Sequence, residues 1–257
     1  MTNKTQSIYW SWGILLLAML LSLGACKKKE DVNPDNTTNN GEGNNGLGAP
    51  CQDSTKFIFE EKNGLLIIES ESMPLGEGWQ LETSSTDFTG KGYTQWHGKS
   101  EYSTPGKGLI TYKIRVNTPG TYRVQWRSRI NEGTDHTEAN DAWLRMANAS
   151  DFFAMKDNHK LYPRGSGKTP NPEGAGKEGW FKVYMNQTNQ WSWRSYTNDH
   201  NAYAVYATFL VAGDYTIEVS GRSKGYAIDR IALYKEDTVQ EATATDPNQA
   251  ESIRTCQ

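Results

Sequence analysis

Residues 110–127 constrain the fold more tightly than any other part of the chain. Ile110, Tyr112, Ile114 and Val116 alternate with Thr111, Lys113 and Arg115. After Asn117-Thr118-Pro119-Gly120, Tyr122, Val124 and Trp126 alternate with Arg123, Gln125 and Arg127. Successive side chains of a strand point to opposite faces, so this period of two on both arms of a turn predicts a half-buried hairpin. Further strand signals fall at 65–71, 142–147, 180–185, 203–211, 215–219 and 226–234, with Ala212-Gly213-Asp214 as a second hairpin turn. No long segment carries the 3.6-residue apolar period of an amphipathic helix. The expectation is an all-β chain folded as an antiparallel β-sandwich.

Two long segments interrupt the strands. Residues 76–108 carry Trp79, Tyr93, Trp96 and Tyr102 among Gly, Ser and Thr; residues 156–179 are rich in Gly, Pro and Lys. Loops of this length in a compact domain are usually functional or disordered. The first reads as functional, the second as an exposed insertion. The tail from 236 to 257 is polar and reads as irregular, except where Cys256 ties it down.

The N-terminus is organised differently. An apolar run, GILLLAMLLSL at 13–23, follows a polar start with Lys4. It is shorter than the roughly 20 residues that span a bilayer and has the pattern of a secretory signal. Leu23-Gly24-Ala25-Cys26 resembles the lipobox of bacterial lipoproteins. That resemblance implies a signal peptide over 1–25 and a lipid on Cys26, holding the protein at the outer membrane on either its periplasmic or its outer face. Buried acyl chains contribute about 0.8 kcal/mol per CH₂, so two or three of them anchor stably. Residues 26–50 are charged and then rich in Asn, Gly and Pro, too polar to offset ordering entropy, and read as a disordered tether. The charged stretch after Cys26 resembles the surface-export signal of Bacteroidetes lipoproteins. The remainder, 51–257, is enough for one domain.

A net charge of −3 gives no case for a nucleic-acid partner. With Cys26 carrying lipid, Cys51 and Cys256 remain, one at each end of the domain. An exported protein permits a disulfide between them; two free thiols are the other reading. The four histidines have no metal-ligating spacing, so zinc is not expected.

Three constellations carry chemistry. Glu69 and Glu71 would share one strand face about 6.6 Å apart, and Asp229 lies among the apolar residues of 226–234. Acids so placed need a cation between them or basic partners such as Arg230; extracellular calcium, with six to eight oxygen ligands, is the candidate metal. Second, 9 Trp and 13 Tyr against 7 Phe supply rings with a polar handle, suited to open platforms as well as to cores. Third, Asp135, Glu138 and Asp141 form a dense acidic cluster. It reads as a hairpin cap pairing with Arg127 and Arg129 or as a ligand rim, and alternatively as the acid–base pair of a glycoside hydrolase or lyase.

The order of these features resembles carbohydrate-binding modules of families 6 and 35. The resemblance rests on Ile68-Glu69-Ser70-Glu71, on Gly90-Lys91-Gly92-Tyr93 with Trp96, and on Gly120-Thr121-Tyr122-Arg123-Val124. It is completed by Gly213-Asp214-Tyr215 and Ile228-Asp229-Arg230-Ile231, and spans roughly 65–235. It implies a jelly-roll sandwich of galactose-binding-like topology, non-catalytic, with structural calcium held by Glu69, Glu71 and Asp229. It also implies an oligo- or polysaccharide ligand, bound at a loop-end cleft or on a sheet face, and polysaccharide-degrading enzymes as partners. A pyranose has apolar faces and a hydroxyl rim, which aromatic rings and polar groups respectively recognise. Tyr93 and Trp96 match the loop aromatics of these modules, and Trp191-Ser192-Trp193 resembles their second aromatic position, with one of its two indoles expected to point inward. Asn201 follows in sequence. The families' sugar-binding Asn is replaced by Ala227, leaving Lys224 or Tyr226 to substitute; Lys224 would favour a uronate. A structural or protein-binding surface lipoprotein, with these rings in the core, is the competing class.

Overall fold

The structure is a computed structural model that describes residues 51–256. The expected signal at 1–25, Cys26 and the tether at 26–50 lie outside the described residues. The strands are, in chain order, β1 (Phe57–Glu60), β2 (Leu65–Glu69), β3 (Trp79–Glu82), β4 (Tyr93–Trp96), β5 (Ile110–Val116), β6 (Gly120–Ile130), β7 (Asp141–Arg145) and β8 (Asp151–Lys156). They continue with β9 (His159–Leu161), β10 (Gly176–Lys177), β11 (Trp180–Tyr184), β12 (Tyr196–Thr197), β13 (Tyr203–Phe209), β14 (Gly213–Ser220), β15 (Tyr226–Tyr234) and β16 (Arg254–Cys256). A four-residue helix α1 (Glu241–Ala244) lies in the tail.

These strands hydrogen-bond along one curled path, β16-β1-β5-β14-β7-β11-β12-β13-β6-β15-β4-β3, with β2 added to β15 and β8 to β13. The curl folds the path into a sandwich. β1, β5, β14, β7 and β11 form one layer, β13, β6, β15, β2 and β8 the other, and the two-residue β12 bridges them at one edge. The jelly-roll expectation therefore stands, but its two hairpins do not form. β5 pairs with β14 and β1, whereas β6 pairs with β13 and β15. Likewise β13 and β14 belong to opposite layers. Period-two patterning fixes which face is buried and leaves the partner open. Both turns are arches that carry the chain across the core.

The patterning itself is realised. Ile110, Tyr112, Ile114 and Val116 of β5 and Tyr122, Val124, Trp126 and Ile130 of β6 are buried in one cluster. Trp126 is buried with its indole N–H donating to the Tyr226 hydroxyl at 2.8 Å; emptying that position would cost about 3–5 kcal/mol. The arch after β5 is held by Glu61, itself buried, whose Oε2 accepts from the backbone N–H groups of Asn117 and Thr118 at 2.8 and 2.7 Å and whose Oε1 accepts from Gly64 N.

The tail is more ordered than its polarity suggested. Arg230, buried within β15, donates to the carbonyls of Pro247 and Gln249, and β16 pairs with β1. That pairing sets Phe57 opposite Cys256, and Cys51 and Cys256 form a disulfide, Cα–Cα 5.1 Å, across a sequence separation of 205.

Candidate functional site

The loop-end rings expected to hold a sugar are mostly packed away. Tyr93 is buried, its hydroxyl bonded with Ser84, Ser85 and Asn131. Trp96 is only 4% exposed and packs against Trp79, ring centroids 5.4 Å apart. Tyr226 lies in the core beneath Trp126. All three overturn the expectation of open ligand rings: Trp96 and Tyr226 fill the core between the layers, whereas Tyr93, of opposite parity to Trp96 on β4, is buried on the other face of the strand against Phe88 and Trp191. Trp191 and Trp193 are both half-buried, with Ser192 between them buried, so neither indole is wholly internal. The Trp191 ring meets Tyr93 edge-on at 5.0 Å, stacks under Arg127 at 5.3 Å and donates its N–H to Thr86 O at 2.8 Å. A sugar sandwiched between two rings needs them about 7–8 Å apart, twice a van der Waals contact; the Tyr93–Trp191 pair leaves no such slot. Asn201 and Lys224 are exposed. Asn201 bonds within its own turn to Asp199 O, and Lys224 pairs with Glu132 at 3.7 Å.

The predicted acids do gather. β2 ends at Glu69, and Ser70–Ser72 form a 3-10 turn, so Glu71 reaches the cluster by a turn and not by strand alternation. A register shift between Ile228 and Arg230, as at a β-bulge, takes Asp229 out of the parity of Ile231 and Leu233 and onto the outer face beside Arg127. Thr89 joins Glu69 and Asp229 with its hydroxyl, at 2.7 and 3.1 Å. Basic partners are present, as the second reading anticipated: Glu69 pairs with Arg230, and Asp229 with Arg127 at 2.6 Å. Among the described residues no Lys, Arg or His forms an ion pair with Glu71. Its Oε1 accepts from Lys91 N at 2.7 Å, while Oε2 is buried without a hydrogen bond. Burial, with the Glu69 and Asp229 carboxylates nearby, pushes Glu71 up to about 7; burial likewise holds Asp229 and Glu251 above the ordinary carboxylate range. Among the described residues no three His, Cys, Asp or Glu side chains converge on one metal-sized point. The donor chemistry nonetheless fits a hard cation at Glu71. One carboxylate oxygen there is unsatisfied, and Gly90 stands where any Cβ would strike the Glu71 carboxylate.

The open site lies elsewhere, on the outer face of the β7–β11 layer. Ala142 and Leu144 of β7, and Phe181 and Val183 of β11, point into the core. Asp141, Trp143, Lys182 and Tyr184 consequently point outward, with Asp141 opposite Tyr184 and Trp143 opposite Lys182. Loops from both sides raise walls over this face. Two adjoining cavities of about 660 and 600 Å³ share Tyr102, Lys182 and Arg222, making one trough with Tyr102 at its waist. Tyr102 is 52% exposed. The Arg222 guanidinium stands 5.0 Å from its ring and 4.9 Å from that of Trp143. Such a contact contributes about 0.5–2 kcal/mol and fixes both groups. His136, Asn140, Asn186 and His200 add hydrogen-bonding groups to the larger lobe.

Most charges in the trough are already partnered. Arg222 pairs with Asp141, Lys182 with Asp199, Arg164 with Glu173 at 3.1 Å and Lys177 with Glu178 at 3.8 Å. Neither the expected pairing of this acidic cluster with Arg127 and Arg129 nor the alternative acid–base pair forms: Arg127 is taken by Asp229, and Arg129 bonds Asn131. Asp141 is buried and held by Arg222 and Ser223, whereas Asp135 is exposed and caps Thr137 N at 2.8 Å. Glu138 lines the trough beside His136. Lys182, Tyr184 and Arg222 were not singled out from sequence, and Tyr102 only as one of the aromatics of the segment 76–108 read as functional. For Lys182 and Tyr184 the signal was there: they are the positions alternate to Phe181 and Val183.

No family model and no curated protein matches the chain. Solved structures to which it is similar include a Podospora anserina β-(1,4)-mannanase that combines a family 26 glycoside hydrolase with a family 35 carbohydrate-binding module. That match has 18% identity and a TM-score of 0.39, covering 67% of this chain and 28% of that one. A family 6 carbohydrate-binding module from Cellvibrio mixtus lichenase 5A, solved with cellotriose, is 13% identical over 67% of this chain and 98% of that one, at a TM-score of 0.34. A family 35 module from Paenibacillus barcinonensis is 15% identical over 66% and 98%, at 0.31. Modules of families 6 and 35 are thus among the structures this chain is similar to, while its fold is established by the strand pairing described above.

Proposed function

We propose that this protein is a non-catalytic carbohydrate-binding lipoprotein that holds a glycan chain in the trough over β7 and β11. The observation that carries the reading is Tyr102, a half-exposed ring at the waist of an open, hydroxyl- and amide-lined groove. A pyranose face stacks on Tyr102 while its hydroxyls bond Asn140, Asn186 and the paired carboxylates; groups fixed before binding lose little entropy on binding. Because the trough's cations are engaged by carboxylates, a neutral glycan fits better than the uronate suggested by Lys224, which lies outside the lining. Trp191 and Trp193 form at most a flanking surface. Asp141 is committed to Arg222, which disfavours the hydrolase alternative.

Calcium, when bound, would supply positive charge at the Glu69, Glu71 and Asp229 cluster, bracing the sandwich rather than touching sugar. Cys26 would carry the lipid and residues 26–50 the tether, at the outer membrane, presenting captured glycan to degrading enzymes.

The test is a glycan array probed with the purified protein, in calcium and in chelator. Neutral polysaccharide hits support the reading. Hits confined to polyuronates overturn the specificity, and reducing-sugar release from the same panel overturns the non-catalytic assignment. An array without hits, with an outer-membrane protein captured instead, favours a protein-binding role.

A further inference from the structure

We infer that Trp96 is the positioning residue for Tyr102: it holds the loop that presents the sugar platform and touches no sugar itself. The inference rests on the trough being the glycan site. The loop from 97 to 109 leaves β4 immediately after Trp96 and is wound around its indole. Trp96 Nε1 donates to Lys99 O at 2.9 Å near the start of the loop. At the other end Trp79, stacked on Trp96, donates its indole N–H to Gly108 O at 2.8 Å. Four glycines enclose the ring. A Cβ placed on Gly78, Gly98, Gly108 or Gly221 would overlap the indole, and Gly98 and Gly108 are the two roots of the loop. The fourth, Gly221, adjoins Arg222 and donates to Lys107 O at 2.9 Å, while Glu101 N donates to Arg222 O at 2.7 Å. The indole therefore fixes both feet of the loop and the backbone beneath Arg222, the side chain that lies against Tyr102. A buried tryptophan in a cage of glycines sets the loop path because no side chain is present to set it otherwise.

The experiment uses the full chain with Trp96→Leu, Trp96→Phe, Tyr102→Ala and the Trp96→Leu/Tyr102→Ala double variant. Affinity is measured for neutral hexasaccharides of β-1,4-glucan, β-1,3-glucan, xylan and mannan, and trypsin cleavage is timed at Lys99 and Lys107. Tyr102→Ala should lose about tenfold in affinity, the loss of one stacked ring. Trp96→Leu should lose a similar factor, and nothing further in the Tyr102→Ala background, because it acts through that ring. Cleavage at Lys99 and Lys107 should quicken at least tenfold in Trp96→Leu, and Trp96→Phe should keep most of both properties. Should Trp96→Leu fail to fold, Gly98→Ala, which displaces the ring without removing it, takes its place. Additive affinity losses, or unchanged cleavage, overturn the inference. An inert Tyr102→Ala overturns the trough reading instead, and the cleavage rates still report whether Trp96 holds the loop.

Discussion

Glu71 gives the sharpest handle on the acidic cluster. Its Oε2 is buried without a hydrogen-bond partner, and burial raises its pKa from an ordinary 4.5 to about 7. A folded-state pKa above the unfolded one means that this group's contribution is fully present below pH 4.5. It is lost as pH rises through about 7, because the ionised form is disfavoured only in the fold. The rise corresponds to at most about 3.4 kcal/mol. The carboxylate is partly open to solvent, and screening brings the figure to about 2 kcal/mol. Glu71→Gln keeps the shape and the bond from Lys91 N and removes the ionisation. In urea titrations with chelator present, the variant should exceed the parent by about 2 kcal/mol at pH 8 and match it at about pH 4. Adding calcium at pH 8 should stabilise the parent and reverse that order. A difference independent of pH, or a variant less stable than the parent at pH 8 in chelator, would refute the burial argument.

Three further outcomes follow from named contacts. Calcium at a hundredfold excess over its dissociation constant should stabilise the parent by about 2.7 kcal/mol, and Asp229→Asn should abolish the gain, read as a change in melting temperature. Replacing Cys51 and Cys256 by Ser opens a loop spanning 205 residues, for which chain entropy gives about 5 kcal/mol. Chemical denaturation should register most of it, and a loss below about 1 kcal/mol would mean that the β1–β16 pairing alone holds the termini. Glu61→Ala strips the acceptor from two backbone N–H groups at the β5–β6 arch and from Gly64 N in the turn before β2. It should cost about 3 kcal/mol, lowering the melting temperature by about 6–12 °C.

The sandwich was legible because alternation at 110–116 and 122–126 survives in the burial of Ile110, Tyr112, Ile114, Val116, Tyr122, Val124 and Trp126. Pairing was not, because a two-residue period is blind to whether a short turn closes a hairpin or crosses the core. The acidic cluster came through in composition: Glu69 and Asp229 meet at Thr89 and Glu71 reaches Lys91 N close by, though by a turn and a register shift that no periodicity announces. Three of the rings expected at the ligand are instead buried. Tyr93, Trp96 and Tyr226 look like ligand rings by type and by their glycine-rich neighbours, yet the glycines around Trp96 make room for a buried indole. The trough needed the opposite question, namely which residues alternate with the core positions of β7 and β11. Tyr102 could not be placed at all without knowing where the loop from 97 to 109 folds back.

The claim that the trough is the glycan site is tested most directly by calorimetric titration of Tyr102→Ala and Trp191→Ala against whichever polysaccharide the array selects. Loss of about tenfold or more for Tyr102→Ala, with Trp191→Ala close to the parent, is the predicted pattern. Parent-like affinity in Tyr102→Ala alongside a large loss in Trp191→Ala would contradict it and return the site to the loop end.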